Sequence, residues 1–355
     1  MSGPQSTGAR TQPVPFTPLR IASAGLCCSL GYTLDTASVA LQARMDHFQS
    51  SHFKTPRGEP LLVAQLPETR RWGGKRLGLW LQAALQDCLD HAPDCDPGRI
   101  AVLWMAPRRP EIQQAAVDWS EVYLGACEAL NLRFHAESCV LARGRAALSL
   151  ALEHAQLLLQ RHDIDGVLLV GVDSLLDAAT ISRYLSEERL LTPKNADGFI
   201  PGEAAAAVLL QTARTESDGR RAVHIVGHGR GVEAGRVDGS VPSRAQGLSQ
   251  ALRAALGSAG LGYEDLEFRC ADQNGEAFYA KEASHAFGRI APVGGDALQL
   301  LTVADGVGEV GAALGPLMLA HLSRLMRHPL GPGACGILHL ADDDGVRAAA
   351  VVELR

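Results

Sequence analysis

Thiol, metal and phosphate chemistry each leave a spacing signature, and the chain offers something to weigh for all three. Cys27 and Cys28 are adjacent. Adjacent cysteines do not make a metal site, and the pair reads as strand and turn packing. Cys139 stands alone, and a free cysteine is more often a small buried side chain than a nucleophile. His224 and His228 have the i, i+4 spacing of a helical metal pair, but Gly227 and Gly229 argue for strand and turn, so no zinc site is expected. Gly227 to Gly231 opens no clear helix and is weak as a phosphate loop. His154 sits on a long apolar helix without a catalytic partner in view. Asp342, Asp343 and Asp344 could hold a cation, but three acids before Gly345 read as a solvated hairpin turn. Neither a cofactor nor a metal is expected.

The chain that must position any site has 355 residues, 46% apolar and 20% charged. That suits a large buried core and excludes disorder as the main state. Its 33 basic and 39 acidic residues give a net charge of −6, so no basic footprint points to nucleic acid or an anionic membrane. No apolar run approaches the roughly 18 residues of a membrane span. No charged-then-apolar leader opens the chain, and eight cysteines on mostly apolar segments read as reduced thiols. A soluble, cytoplasmic α/β protein is expected.

Residues 1–18 are rich in Gly, Pro, Ser, Thr and Gln and read as a flexible N-terminal arm. Beyond them, apolar strands are expected at Arg20 to Cys27, Ile100 to Trp104, Gly166 to Val170, Ala204 to Leu210, Ala222 to Gly227, Leu266 to Ala271, Cys335 to Leu340 and Ala348 to Leu354. Several are apolar throughout, as strands covered on both faces are. Helices are expected at Lys75 to His91, Trp119 to Leu130, Arg145 to Arg161, Gln246 to Ser258 and Gly315 to His328, with a shorter one at Ser182 to Glu188. Pro316 starts or kinks the last long helix. Glycine, apolar helix, strand, loop, strand appears twice, once from Gly144 and again from Gly308 and Gly311. This predicts a duplicated α/β chain with halves 19–212 and 213–355.

The repeat resembles the thiolase-like superfamily, in its β-ketoacyl synthase branch. DGFIPGEAAAAVLL (Asp197 to Leu210) is similar to that family's R-D-G-F-V-x-G-E-G-A signature. GEVGAALG (Gly308 to Gly315) resembles its G-H-T-x-G-A-A-G helix start, and VLLVGVDS (Val167 to Ser174) its strand after the nucleophile helix. ADQNGEAFYAKE (Ala271 to Glu282) lies where it has an H-G-T-G-T loop, and Ile21 to Gly31 is similar to its first strand and turn. The resemblance implies a five-layered α/β/α/β/α fold of two pseudo-duplicated halves. Asp197, Gly198, Gly202, Glu203, Gly308 and Gly311 would then be fold-signature residues.

Decarboxylative condensation in that family uses a cysteine at a helix N-terminus, two histidines and a Gly-rich oxyanion loop. The resemblance places the nucleophile at Arg145, or at Gly144 with a loop one residue longer. The first histidine falls at Asn274, the second at Glu309, a common lysine at Ala304, and the oxyanion loop at acidic Ala341 to Gly345. None of these is the expected residue. An arginine at the helix start and Glu309 are expected to pair across the site, because either charge buried alone would cost several kcal/mol. Cys139, five or six residues before the nucleophile position, is the only displaced nucleophile on offer.

The resemblance therefore implies a catalytically degenerate synthase-like protein acting as a scaffold, adaptor or partner subunit. Chain-length factors and accessory factors beside bacterial secretion effectors are precedents in kind. An active acyltransferase of the 3-oxoacyl-carrier-protein synthase type using Cys139, or an acyl-chain binder, are the alternatives. Partners implied are a second copy of the chain, another thiolase-fold chain, a neighbouring gene product or an acyl carrier protein. Family members commonly dimerise through a central strand, and apolar helices and strands at the half-junction fit such pairing.

Overall fold

The computed structural model describes residues 16–67, 70–92, 95–108, 117–213 and 221–355. The first half runs β1 (Leu19–Cys28), α1 (Leu34–Gln42), β2 (Gln49–Lys54), β3 (Pro60–Val63), α2 (Gly73–Asp90), β4 (Ile100–Ala106), α3 (Trp119–Ala129), β5 (Cys139–Ala142), α4 (Leu148–Leu158), β6 (Gly166–Ser174), α5 (Ala178–Ser186) and β7 (Glu203–Thr212). The second runs β8 (Val223–Val232), α6 (Gln246–Ala259), β9 (Phe268–Ala271), α7 (Ala277–Ile290), β10 (Gln299–Thr302), α8 (Ala304–Val307), α9 (Leu314–Leu325), β11 (Cys335–Ala341) and β12 (Val346–Leu354).

Among the described residues ten strands form one sheet in the order β10-β9-β11-β12-β8-β1-β7-β6-β4-β5. Read outward from its centre, the order β1-β7-β6-β4-β5 matches β8-β12-β11-β9-β10 strand for strand. The two five-stranded sheets are joined only where Leu19 and Arg20 meet Ile225 and His224. In this pattern α2, α3 and α4 of the first half correspond to α6, α7 and α9 of the second. The first half adds α1, the β2–β3 hairpin and α5. The duplication expected from the glycine–helix–strand echo is thus realised as a five-layered α/β/α/β/α stack.

Packing explains the layers. α4 and α9 lie between the two sheets, α4 touching β8 and β12 as well as β4 and β6, α9 touching β1, β6 and β7. α9 is buried around nearly its whole circumference, from Leu314 to Ser323, as a helix apolar on every face must be. Pro316 is its third residue, within the first turn, where a missing N–H breaks no helical bond. α2 and α3 cover one outer face, and α6 and α7 the other. Separate apolar clusters under each outer layer flank the central one.

Each expected strand is present. Short, half-exposed elements were missed: β2, β3, β5 and β10 carry too few buried residues to show an apolar run. α7 was also missed, because ADQNGEAFYAKE reads as loop. Its second half is helical from Ala277, whose N–H is capped from 80 residues away by Asp197 Oδ1 at 2.6 Å. Phe16, within the expected arm, is 7% exposed and packs edge-on against His228; residues 1–15 lie outside the described residues. The apolar strands at the half-junction are enclosed, β1 lying between β7 and β8, so they offer no edge to a partner. The free edges are β5 and β10.

Candidate active site

Four loops converge at the C-terminal ends of the parallel strands, where open α/β sheets gather their ligands. Gly144 precedes a single 3-10 turn, Arg145–Ala147, that leads into α4. Asn274 and Glu276 lie in the turn between β9 and α7. Glu309 lies between α8 and the turn before α9, and the three aspartates join β11 to β12. A fifth contribution, Arg189, follows α5. Gly144, Arg145, Arg189, Glu309 and the three aspartates line a cleft of about 260 Å³, with Arg108, Arg183, Tyr184 and Phe199 in its wall; Asn274 and Glu276 lie behind it.

Arg145 and Glu309 pair, as the cost of burying either charge alone predicted. Arg145 Nη1 donates to Glu309 Oε2 at 2.5 Å, with Arg145 7% and Glu309 4% exposed. The same oxygen accepts from Asn274 Nδ2 at 2.8 Å, and Glu309 Oε1 accepts from Gly311 N at 2.9 Å. Arg145 Nη2 donates to Asp343 Oδ1 at 3.1 Å. Asp343 also accepts from Arg189 Nη1 at 2.6 Å and from the Tyr279 hydroxyl at 2.5 Å. Arg189 grips Glu276 in a two-pronged pair, Nε to Oε1 at 2.7 Å and Nη2 to Oε2 at 3.0 Å, the geometry that suits guanidinium and carboxylate best. Tyr279 closes the site from below, with the Arg145 guanidinium 5.1 Å from its ring centre.

Burial disfavours both arginine charges, yet the facing carboxylates outweigh it and raise both pKa values. Burial likewise opposes the Asp343 charge, and Arg145 and Arg189 overcome it, holding that carboxyl below its usual range. Asp342 is different. Burial pushes it up to about 6 against the pull of Arg145, and its Oδ2 has no hydrogen-bond partner. Asp272, buried behind the network, is pushed by burial up to about 7. The aspartate loop is therefore only partly solvated: Asp343, a third of its side chain still exposed, turns toward Arg145 and Arg189, two buried arginines that need counter-charge.

The fold-signature residues sit under this network. Glu203, fully buried, accepts from Leu66 N at 2.9 Å, from Arg76 Nε at 3.0 Å and from the Ser174 hydroxyl at 3.1 Å. Gly202 and Glu309 are clamped together: Gly202 N donates to Glu309 O, and Glu309 N to Ile200 O, both at 2.8 Å. A Cβ on Gly202 would come within 2.3 Å of Val307 O, and one on Gly308 within 2.5 Å of Ile200 O, so glycine is required on both sides of the clamp. Gly198 packs with the same closeness on Leu190, and Gly311 on Asp173.

Cys139 does not join the site. It is exposed, not buried as expected, because β5 is an edge strand. It starts β5 beside Leu103, whereas the site lies past Ala142 at the other end, about 10 Å further along the strand. Partial burial and Glu137 raise its thiol pKa, which lowers its nucleophilic fraction at neutral pH. Cys27 and Cys28 are buried in β1, and His224 and His228 lie on β8, as strand packing predicted. Among the described residues no cluster could hold a metal ion. Residue order does not single out Arg189, Glu276 or Tyr279, and it offers Asp343 only as part of a turn. The only signal was a surplus of carboxylates at the mapped site, which calls for cations elsewhere.

No family model matches the chain, and no curated protein matches it in sequence. Solved structures match its fold. The ishigamide ketosynthase/chain length factor aligns with a TM-score of 0.74 at 17% identity, over 96% of this chain and 99% of that one. A ketosynthase in complex with its chain length factor from Xenorhabdus doucetiae aligns at 0.69 and 15%, over 96% and 98%. A β-ketoacyl synthase from Burkholderia phymatum aligns at 0.69 and 16%, over 96% and 100%. The chain has the thiolase-like fold of the ketosynthases over 96% of its length; identities this low establish the fold alone.

Proposed function

We propose that this protein is a catalytically degenerate β-ketoacyl synthase-like chain that acts by binding, as the partner subunit of a second thiolase-fold chain. The observation that carries the reading is the closed ionic network Glu309–Arg145–Asp343–Arg189–Glu276 at the mapped active site. Condensation needs a thiolate at the helix start and hydrogen-bond donors around a developing oxyanion. Here the helix start carries a guanidinium already held by two carboxylates, and the loop in the oxyanion position presents carboxylates. A negative Glu309 opposes the enolate that decarboxylation forms. Nine of the sixteen residues lining the cleft are charged, which does not favour an acyl chain.

Two observations support pairing with another chain. Structures of similar fold are described as a ketosynthase together with its chain length factor. β5 is bonded only to β4 among the described residues and leaves Val140 42% exposed, an edge onto which a second sheet could be added. No described helix is long and apolar enough to cross a membrane. No two of the eight cysteines are joined in a disulfide, which fits a reducing, cytoplasmic setting.

The test is intact-protein mass after incubation with acyl-CoA and with acyl-loaded carrier protein, for the wild type and Cys139→Ala. No mass gain is expected from either donor. An acyl adduct on the wild type overturns the reading, and its loss in Cys139→Ala would assign the alternative of a displaced nucleophile.

A further inference from the structure

Gly144 and Asp342 occupy each other's space in a way the ionic network does not explain. Gly144 has φ +71° and ψ −160°, a backbone region left almost wholly to glycine. A Cβ built on it would lie 2.0 Å from Asp342 Oδ2 and 2.9 Å from Asp342 Cγ, far inside van der Waals contact. The carboxylate thus fills the volume into which any side chain at position 144 would project.

The backbone of Asp342 is held from several sides, and its carboxylate by one bond. Its N–H donates to Val346 O at 2.9 Å and its carbonyl accepts from Gly345 N at 3.1 Å. The same carbonyl accepts from Arg347 Nη1 at 2.7 Å. Arg347, 1% exposed, is itself fixed by a two-pronged pair with buried Glu282, at 2.6 and 2.8 Å. Asp342 Oδ1 is engaged by Asp343 N at 2.8 Å. Only Oδ2 is unpartnered, and it is the atom that rests against Gly144.

We propose that Asp342 is a built-in block: seated by the Arg347–Glu282 pair, its carboxylate excludes every side chain larger than hydrogen from position 144, so the site stays closed there until both residues change. This rests on the degenerate-site reading for its meaning, but the acylation assay on the wild type tests that reading, whereas the contact is tested separately. In a full-length Cys139→Ala background, Gly144→Ala, Gly144→Cys and Asp342→Ala would be made singly, and each position-144 change would also be combined with Asp342→Ala.

Each single change at 144 is expected to lower Tm by roughly 5 °C or more, or to leave the protein insoluble. Adding Asp342→Ala should return at least half of that loss, the remainder being backbone strain. The new thiol of Gly144→Cys/Asp342→Ala should react with iodoacetamide at neutral pH at least tenfold faster than that of Gly144→Cys alone. If the double variants are no more stable than the single ones, strain alone accounts for Gly144 and the block is overturned. Equal alkylation rates in Gly144→Cys with and without Asp342→Ala overturn it as well.

Discussion

Arg145 and Glu309 stand 164 residues apart in the chain and 2.5 Å apart in space. One lies in the turn that opens α4 of the first half, and the other precedes the buried α9 of the second. Their contact is therefore a tie across the duplication as well as a seal on the cleft.

That tie should show as strong coupling. Removing one partner leaves a buried charge unpaired, so Arg145→Ala or Glu309→Ala should each cost about 3–5 kcal/mol in urea unfolding. Arg145→Met combined with Glu309→Leu should cost less than the sum of its singles. Additive losses would mean that the two charges do not depend on each other.

Asp343 and Asp344 are sequence neighbours with different duties. Asp343 serves two largely buried arginines, Arg145 and Arg189, and the Tyr279 hydroxyl, whereas Asp344, itself no more exposed than Asp343, pairs among the described residues only with the half-exposed Arg108. Asp343→Asn should lower stability by about 2–3 kcal/mol, and Asp344→Asn by under about 1 kcal/mol. Thermal melts of the two variants side by side decide this, and equal losses would count against the inward turn of the loop. Because the Asp343 pKa is depressed in the folded state, its contribution is present above the unfolded value and fades as pH falls below about 4.

Asp272 shifts the other way. Its pKa rises from 3.8 to about 7 on folding, so the folded state holds a proton that the unfolded state has lost. Stability from this group is therefore present at low pH and declines as pH rises from about 4 to 7. Asp272→Asn keeps an oxygen to accept from Ala341 N, the bond that Asp272 Oδ2 makes at 2.5 Å, and removes the titration. Relative to the variant, the wild type should lose Tm steadily between about pH 4 and pH 7 and level off above that. Parallel pH profiles would show that Asp272 does not titrate there. The buried His321, depressed by burial to about 4, is common to both proteins, and His339, whose Nδ1 lies 3.9 Å from Asp272 Oδ1, is held by burial at about 3, below the pH range compared.

The free edge at β5 makes a prediction about assembly. A charge placed on an edge strand discourages strand addition. Val140→Asp should halve the mass seen by light scattering, whether the partner is a second copy or another thiolase-fold chain, and leave the circular dichroism spectrum unchanged. Unaltered mass would move the joint elsewhere.

Much of this architecture was legible in residue order. Fully buried strands such as β6 and β7 announce themselves as unbroken apolar runs, because both of their faces are covered. The two glycine-led helices at the sheet centre announce the duplication. Edge strands do not: β5 buries only Leu141, so Cys139 looked like a core thiol and proved exposed. α7 was hidden because its N-terminal cap, Asp197, comes from a distant loop, and capping signals are readable only when they are local.

The same division runs through the site. Residue order determined which chemistry was missing, since Gly144, Arg145, Asn274 and Glu309 stand between intact fold motifs, and it required that a buried arginine and Glu309 find counter-charges. Only the tertiary structure decided which counter-charges. Asp343 was chosen over Asp344, Arg189 was recruited from beyond α5, and Asp342 was laid against Gly144. The physical reason is that partner choice depends on where five loops converge at the strand ends. A few ångströms there separate a buried ion pair from a solvated one, and no local pattern encodes that distance.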